Sequence, residues 1–264
     1  MSQIKAAIFD IDDTLFDMRT KKFIQSAIMG IKELQKRGIL VILATGRPPL
    51  TAKAIYEEGV YPDYITCSNG HLILNKKGEI IKQYIFGQEL VEDVYQYCQE
   101  RGIGLLWKFP DYVYEYIHAD IFENFYNKTK DSRKYVVFNE KDVHLKCNPN
   151  SGCLGCDDTA LAAFNEAFKG QCTGVRIDGH SSDLLMYGVN KKISVSYILK
   201  ENGINPEQCI GFGDNMNDIE VLDYVGRSIC VGNGSEELKT HVDYVTDTIT
   251  EDGVYNALVR EGLI

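Results

Sequence analysis

The sequence predicts an α/β fold: a doubly wound, mostly parallel, Rossmann-like core sheet with an inserted α+β domain. Three observations predict it. Short apolar segments of strand length alternate with segments of helical period through residues 1–83 and again from Lys191 onward. Near residues 84–187 that alternation gives way to adjacent strands with few helices. The densest polar motifs follow directly on apolar strands of the outer segments, where doubly wound sheets bind their ligands.

Each element has its own signal. Ile4 to Ile11 is an apolar run of strand length. Phe23 to Arg37 carries Ile24, Ala27, Ile28, Ile31 and Leu34 on one helical face, and Gly38 stops it. Ile39 to Thr45 is a second strand, Pro48 to Gly59 a helix with proline near its start, and Tyr64 to Ser68 a third strand. Leu72 to Tyr84 reads as a hairpin around Asn75-Lys76-Lys77-Gly78. Strands that are apolar throughout, not alternating, belong to a sheet covered on both faces.

The insert begins with an amphipathic helix, Gly87 to Gly102, through Leu90, Val91, Val94 and Cys98. Strands Leu105–Phe109 and Tyr112–Ile117 and an aromatic helix, Ile121–Tyr126, follow. Val136–Phe138 and Val143–Leu145 read as strands, Asp157–Lys169 as a helix, and Cys172–Ile177 and Asp183–Tyr187 as strands. Trp107, Phe109, Tyr112, Tyr114, Tyr116, Phe122, Phe125 and Tyr126 are mostly core, because a small module needs large apolar side chains. One or two are left to stack on a ligand ring.

Lys191–Asn202 opens the second half of the core as a helix, followed by strand Gln208–Phe212, helix Asn217–Tyr224 and strand Ser228–Val231. Helices Ser235–His241 and Glu251–Arg260 flank a short strand, Tyr244–Thr246. The expected domains are therefore 1–83 with 188–264, and 84–187.

Composition excludes several function classes. Lys plus Arg number 28 against 38 Asp plus Glu, a net charge of −10, so a general nucleic-acid or anionic-membrane binder is not expected. Hydrophobic content of 44% with 25% charged residues rules out bulk disorder. Runs such as Ile39 to Ala44 are too short to cross a bilayer, and MSQIKAAIFDIDDT has no signal-peptide pattern, so a cytoplasmic location is expected. Of eight cysteines, Cys67, Cys98, Cys209 and Cys230 sit in apolar periodic segments, and disulfides are not expected. Cys147, Cys153 and Cys156, with His144 nearby, lack the second pair that a zinc site needs and read as free thiols, a structural zinc being the alternative.

Four segments carry chemistry. The first strand ends in Asp10-Ile11-Asp12-Asp13-Thr14, which alone is either a solvated acidic turn or a cation site. The second ends in Ala44-Thr45-Gly46-Arg47, where a hydroxyl, a small glycine and a fixed positive charge suit an anion as well as an ordinary turn. Gly211-Phe212-Gly213-Asp214-Asn215-Met216-Asn217-Asp218 follows another strand. There Asp214 suits a hard cation and Asp218 suits a cation or a helix cap. Lys191 and Lys192 open a helix at the return to the core.

Together, Phe9-Asp10-Ile11-Asp12-Asp13-Thr14-Leu15, Leu43-Ala44-Thr45-Gly46-Arg47, Lys191 and Gly213-Asp214-Asn215-Met216-Asn217-Asp218 resemble the four motifs of the haloacid dehalogenase-like hydrolase superfamily. The Thr-Gly-Arg and Gly-Asp-x-x-Asn-Asp spellings, Ser68-Asn69-Gly70 and the ending Thr250 to Gly262 are similar to its Cof-type phosphatase branch, which carries a large α+β (type IIB) cap where the insert lies. Two positions depart from that branch. Asp13 stands where glycine is usual, and Lys192 follows the motif lysine where glycine is common.

The resemblance implies a magnesium-dependent phosphatase working through an aspartyl-phosphate. Asp10 is the implied nucleophile and Asp12 the acid and base. The implied metal site is Asp10, the Asp12 carbonyl and Asp214, with Asp218 in or just outside the coordination sphere. Ile11, Thr45, Gly46, Lys191 and Asn217 are implied to hold phosphate, and Arg47 to contact substrate. The implied partner is a small-molecule phosphomonoester, a sugar phosphate first, with neither nucleic acid nor membrane, in a monomer or small homo-oligomer. Alternatives are a phosphosugar mutase, a phosphatase for a nucleotide, flavin mononucleotide or pyridoxal phosphate, and a non-catalytic phosphate-dependent regulator.

Overall fold

The computed structural model describes residues 3–118, 121–122, 136–137, 143, 147–177 and 179–264. The chain runs through β1 (Ala6–Phe9), α1 (Gln25–Lys36), β2 (Leu40–Ala44), β3 (Tyr64–Cys67), β4 (Leu72–Asn75), β5 (Ile80–Gln83), α2 (Gln88–Arg101), β6 (Gly104–Lys108), β7 (Val113–Ile117), β8 (Val136–Val137), β9 (Ser151–Gly155), α3 (Asp158–Ala167), β10 (Cys172–Arg176), β11 (Ser181–Met186), α4 (Lys191–Glu201), β12 (Cys209–Gly213), α5 (Ile219–Leu222), β13 (Arg227–Cys230), α6 (Glu236–Lys239), β14 (Tyr244–Val245) and α7 (Gly253–Arg260). It divides into two compact units, one of residues 1–47, 52–82 and 190–264, the other of 48–51 and 83–189.

The first unit is an eight-stranded sheet in the order β14-β13-β12-β1-β2-β3-β4-β5. Every pairing from β14 to β3 is parallel, and β4 turns antiparallel onto β3. The absence of alternation in β1 has its cause here. Ala7 and Phe9 enter one apolar cluster with α1 and α7, while Ala6 and Ile8 enter another with Val195 and Leu199 of α4. Phe9 stacks on Phe212 with ring centroids 4.9 Å apart. Burial of one such ring contributes roughly 2–3 kcal/mol. Register then does the functional work: Phe9 lies opposite both Leu43 and Phe212, so β1, β2 and β12 end level at one sheet edge.

The second unit is a six-stranded sheet in the order β8-β7-β6-β9-β11-β10, antiparallel except for the β7–β8 pair. Val91, Val94 and Cys98 of α2 and Phe164 of α3 pack on Leu105, Trp107, Leu154 and Leu184 of its strands. Trp107, Phe109 and Phe122 are buried and Tyr112 is exposed. The side chains of Tyr114 and Tyr116, together with Phe125, Tyr126, Phe138, His144 and Leu145, lie outside the described residues.

Several expectations are corrected. Strand β9 escaped the sequence reading because Ser-Gly-Cys-Leu-Gly has weak strand propensity. It is nonetheless fully buried between β6 and β11, and a Cβ on Gly152 would lie 2.7 Å from the Leu106 carbonyl oxygen, so only glycine fits. Residues 48–59 form a short helix, Pro49–Ala52, and a 3-10 turn, Lys53–Glu58, in place of one continuous helix. Val143 is not in a strand. Cys147 is exposed, Cys153 buried in β9 and Cys156 half-buried; all eight cysteines are free thiols, and none belongs to a metal-competent cluster among the described residues. No described helix is long and apolar enough to cross a membrane.

Candidate active site

Asp10 leaves β1 at its carboxyl end, its N–H donating to the Phe212 carbonyl at 3.0 Å, and its side chain is buried. Across the sheet edge, β12 ends in Gly213, and the chain turns through Asp214 into a 3-10 turn, Met216–Asp218. Asp218 closes that turn by accepting from the N–H groups of Asp214 (3.1 Å) and Asn215 (3.3 Å). It packs so tightly on Gly213 that a Cβ there would sit 2.5 Å from Asp218 Oδ2. Asp218 is thus the third-position partner of a capping box whose N-cap is Asn215, and its side chain makes no cap bond at the start of α5.

Asp10, Asp214 and Asp218 each present a ligand atom, and these atoms lie within 4.8 Å of one another. Lys191, at the first turn of α4, reaches into the group, 1% exposed, and donates to Asp10 Oδ1 and Asp218 Oδ1, both at 2.6 Å. Lys192, the adjacent lysine that stands where glycine is common in the resembled branch, lies over the Tyr224 ring instead. Three carboxylates against one ammonium leave a surplus of negative charge. Burial pushes the Asp10 carboxyl up to about 7, Lys191 pulling down and Asp218 and Asp12 pushing further up. Burial and then the Asp10 and Asp218 charges raise Asp214 to about 9. Burial works against charge on Lys191, but Asp10 and Asp218 outweigh it and raise its pKa. An all-oxygen donor set with excess negative charge fits a hard divalent cation.

Asp12 stands apart from this cluster. Its carboxylate is bound by Arg47 through two bonds, Nε to Oδ2 at 2.9 Å and Nη2 to Oδ1 at 2.6 Å. Arg47 also lies over the Phe16 ring, 4.4 Å from its centroid. The guanidinium expected to contact substrate is held by Asp12 in this structure. Thr45 is buried, and its Oγ1 accepts from the Arg47 N–H at 3.1 Å. Gly46 packs against the Asn69 amide, to which Asn217 Nδ2 donates at 3.4 Å. Ile11 is buried and its carbonyl accepts from the N–H groups of Leu15 and Phe16 at 2.8 Å each. Asp13 takes φ of 53°, a left-handed conformation that the glycine implied there by the resemblance would adopt without strain, and its Oδ1 accepts from the Met18 N–H.

Two relations were missed in the sequence. The Asp12–Arg47 pair joins residues on different strand ends and has no local signal. Asn69 had one, an Asn-Gly pair after a strand, but no role attached to it.

The motif order fits the geometry, and a model of the haloacid dehalogenase-like hydrolases matches residues 7–258. The chain belongs to that family. This haloacid dehalogenase-like hydrolase is 26% identical over 268 residues to a provisionally named phosphatase, YkrA, of Bacillus subtilis (strain 168), covering 98% of each chain. It is 28% identical over 271 residues to a provisionally named bifunctional phosphatase/peptidyl-prolyl cis-trans isomerase of Streptococcus pyogenes serotype M6. There the match takes in 99% of this chain but spans only 55% of that longer protein. Among solved structures, the subclass IIB sugar phosphatase BT4131 superposes with a TM-score of 0.86 at 22% identity, over 98% of this chain and all of the other. The expected family and the α/β fold class with a mostly parallel sheet are thus the ones found.

Proposed function

We propose that this hydrolase is a magnesium-dependent phosphatase acting on small phosphomonoesters, sugar phosphates first. The observation that carries the reading is the convergence of Asp10, Asp214 and Asp218 around the buried Lys191 ammonium. Phosphatase relatives and the sugar phosphatase BT4131 support it.

In this reading Asp10, the Asp12 carbonyl and Asp214 hold the cation, with Asp218 at its edge. A bound magnesium ion neutralises phosphoryl charge and fixes the group for in-line attack. A carboxylate oxygen of Asp10 attacks phosphorus and the ester P–O bond breaks. Asp12, once it leaves the Arg47 ion pair and carries a proton, gives that proton to the departing alkoxide oxygen. Asp12 then takes a proton from water, whose oxygen attacks the aspartyl-phosphate phosphorus. The Asp10–phosphorus bond breaks, which returns the carboxylate and releases inorganic phosphate. Lys191, Thr45, Asn217 and the Ile11 and Gly46 N–H groups hold the phosphoryl oxygens as charge develops. The second unit serves as the cap that selects the leaving group.

The test is phosphate release from p-nitrophenyl phosphate. Activity should vanish in EDTA, return with magnesium, and be lost in Asp10→Asn with the fold intact by circular dichroism. Full activity in EDTA, or near-wild-type kcat in Asp10→Asn, would overturn the reading.

A further inference from the structure

We infer that Asn69 is a positioning residue for phosphoryl transfer, acting through its side-chain amide on Asn217. The inference rests on the phosphatase reading above and deepens it. Three consecutive residues after β3 are left-handed: Ser68 at φ 50°, Asn69 at 52° and Gly70 at 95°. Only the last is a glycine, so two ordinary residues are held in a conformation that L side chains rarely adopt. Such strain persists where surrounding contacts over-determine it, and it concentrates at functional sites.

The contacts of this turn reach three of the four segments assigned to the phosphate, all but that of Ile11. The Ser68 N–H donates to the Arg47 carbonyl at 2.9 Å and the Asn69 N–H to the Thr45 carbonyl at 3.0 Å, which fixes the Thr45–Arg47 loop. Gly70 lies flush on the chain entering α4. A Cβ there would sit 2.1 Å from the carbonyl oxygen of Asn190, the residue before Lys191, and the Gly70 carbonyl accepts from Ser194 Oγ. Between these anchors the Asn69 side chain, 4% exposed, lies against Gly46, where an added Cβ would be 3.3 Å from Asn69 Oδ1. The same oxygen accepts from Asn217 Nδ2.

A left-handed turn that served only to reverse the chain would be met by glycine. Asparagine tolerates the conformation and adds an acceptor at the one point where Gly46 and Asn217 approach. With Nδ2 of Asn217 engaged, that amide is held in one orientation. The geometry assigns Asn69 the task of pre-setting Asn217, so that no reorientation is needed as phosphoryl charge develops.

A double-mutant cycle tests this with p-nitrophenyl phosphate in saturating magnesium. Asn69→Gly keeps the left-handed backbone free of strain and removes the amide. It should lower kcat about ten-fold, the scale of one modest hydrogen bond, with KM within about two-fold and Tm retained. In an Asn217→Ala background the same change should cost less than about two-fold. Orthovanadate inhibition should weaken in the same non-additive pattern. Asn69→Ser, too short to reach Asn217, replaces the glycine variant if that variant is unfolded. An equal loss in both backgrounds, or no loss in either, overturns the inference while leaving the phosphatase reading intact. A wild type that releases no phosphate from p-nitrophenyl phosphate or acetyl phosphate overturns both.

Discussion

Asp214→Asn should stabilise the protein when the cation is absent and destabilise it, relative to wild type, when the cation is present. Asp214 shares a 4.8 Å cluster with Asp10 and Asp218, while the short Lys191 bonds go to the other two acids. At an effective dielectric constant of about 20, like charges at that separation repel by about 3 kcal/mol. Lys191 offsets part of this; at pH 8 the folded Asp214 carboxyl avoids that repulsion by keeping a proton that the unfolded chain has released, and removing the ionisable group should relieve about 1–3 kcal/mol in EDTA. For a chain of this size that is a rise in Tm of roughly 2–10 °C. The pH dependence has a definite sign. Burial, then Asp10 and Asp218, raise the folded-state pKa of Asp214 from 3.8 to about 9. Below about pH 4 the group is protonated in both folded and unfolded chains and costs nothing. Above that the unfolded chain releases the proton first, so wild-type stability falls as pH rises toward 9. The advantage of Asp214→Asn should therefore be absent at pH 4, large at pH 8 and full only above about pH 9. Magnesium at a hundred times its Kd should add about 3 kcal/mol to wild type and much less to the variant, inverting the order of Tm. Scanning calorimetry in EDTA and in magnesium, at both pH values, reads all four states. A lower Tm for Asp214→Asn in EDTA at pH 8, or an equal magnesium shift in both proteins, would refute the reasoning.

Lys191→Ala should lower kcat/KM by about a hundred-fold or more and Lys192→Ala by less than about three-fold, because only Lys191 donates to Asp10 and Asp218; steady-state kinetics with p-nitrophenyl phosphate decides, and the reverse order moves the assignment by one residue. Lys191→Ala should also lower the Tm of the metal-free protein, by the ~3–5 kcal/mol that breaking a buried ion pair costs. Trp107→Ala should cost ~3–5 kcal/mol, since its ring is fully buried among Phe86 and the other side chains of the second unit's core; chemical denaturation measures it.

Local signals made much of this protein legible from its sequence alone. The 3.6-residue period of Ile24, Ala27, Ile28, Ile31 and Leu34 specifies α1, which ends with Gly38 in the left-handed conformation at φ 76°. Apolar runs that stop abruptly at Asp10, Thr45 and Asp214 mark the sheet edge, because a strand buried on both faces cannot carry a charge before it ends. The resemblance to the family motifs rests on the identity of the residues at those positions. Tertiary structure alone decided what those residues touch. Lys191 meets Asp10 across 181 positions of sequence and Asp218 across 27, through the way α4 packs beside β1 and β12. Arg47 meets Asp12 because β1 and β2 end level. Strand β9 exists because β6 and β11 leave a gap that only a small-residue segment fills, against its own weak propensity. Periodicity is a property of neighbours along the chain, whereas charge compensation, register and close backbone approach are properties of neighbours in space, which no local pattern encodes.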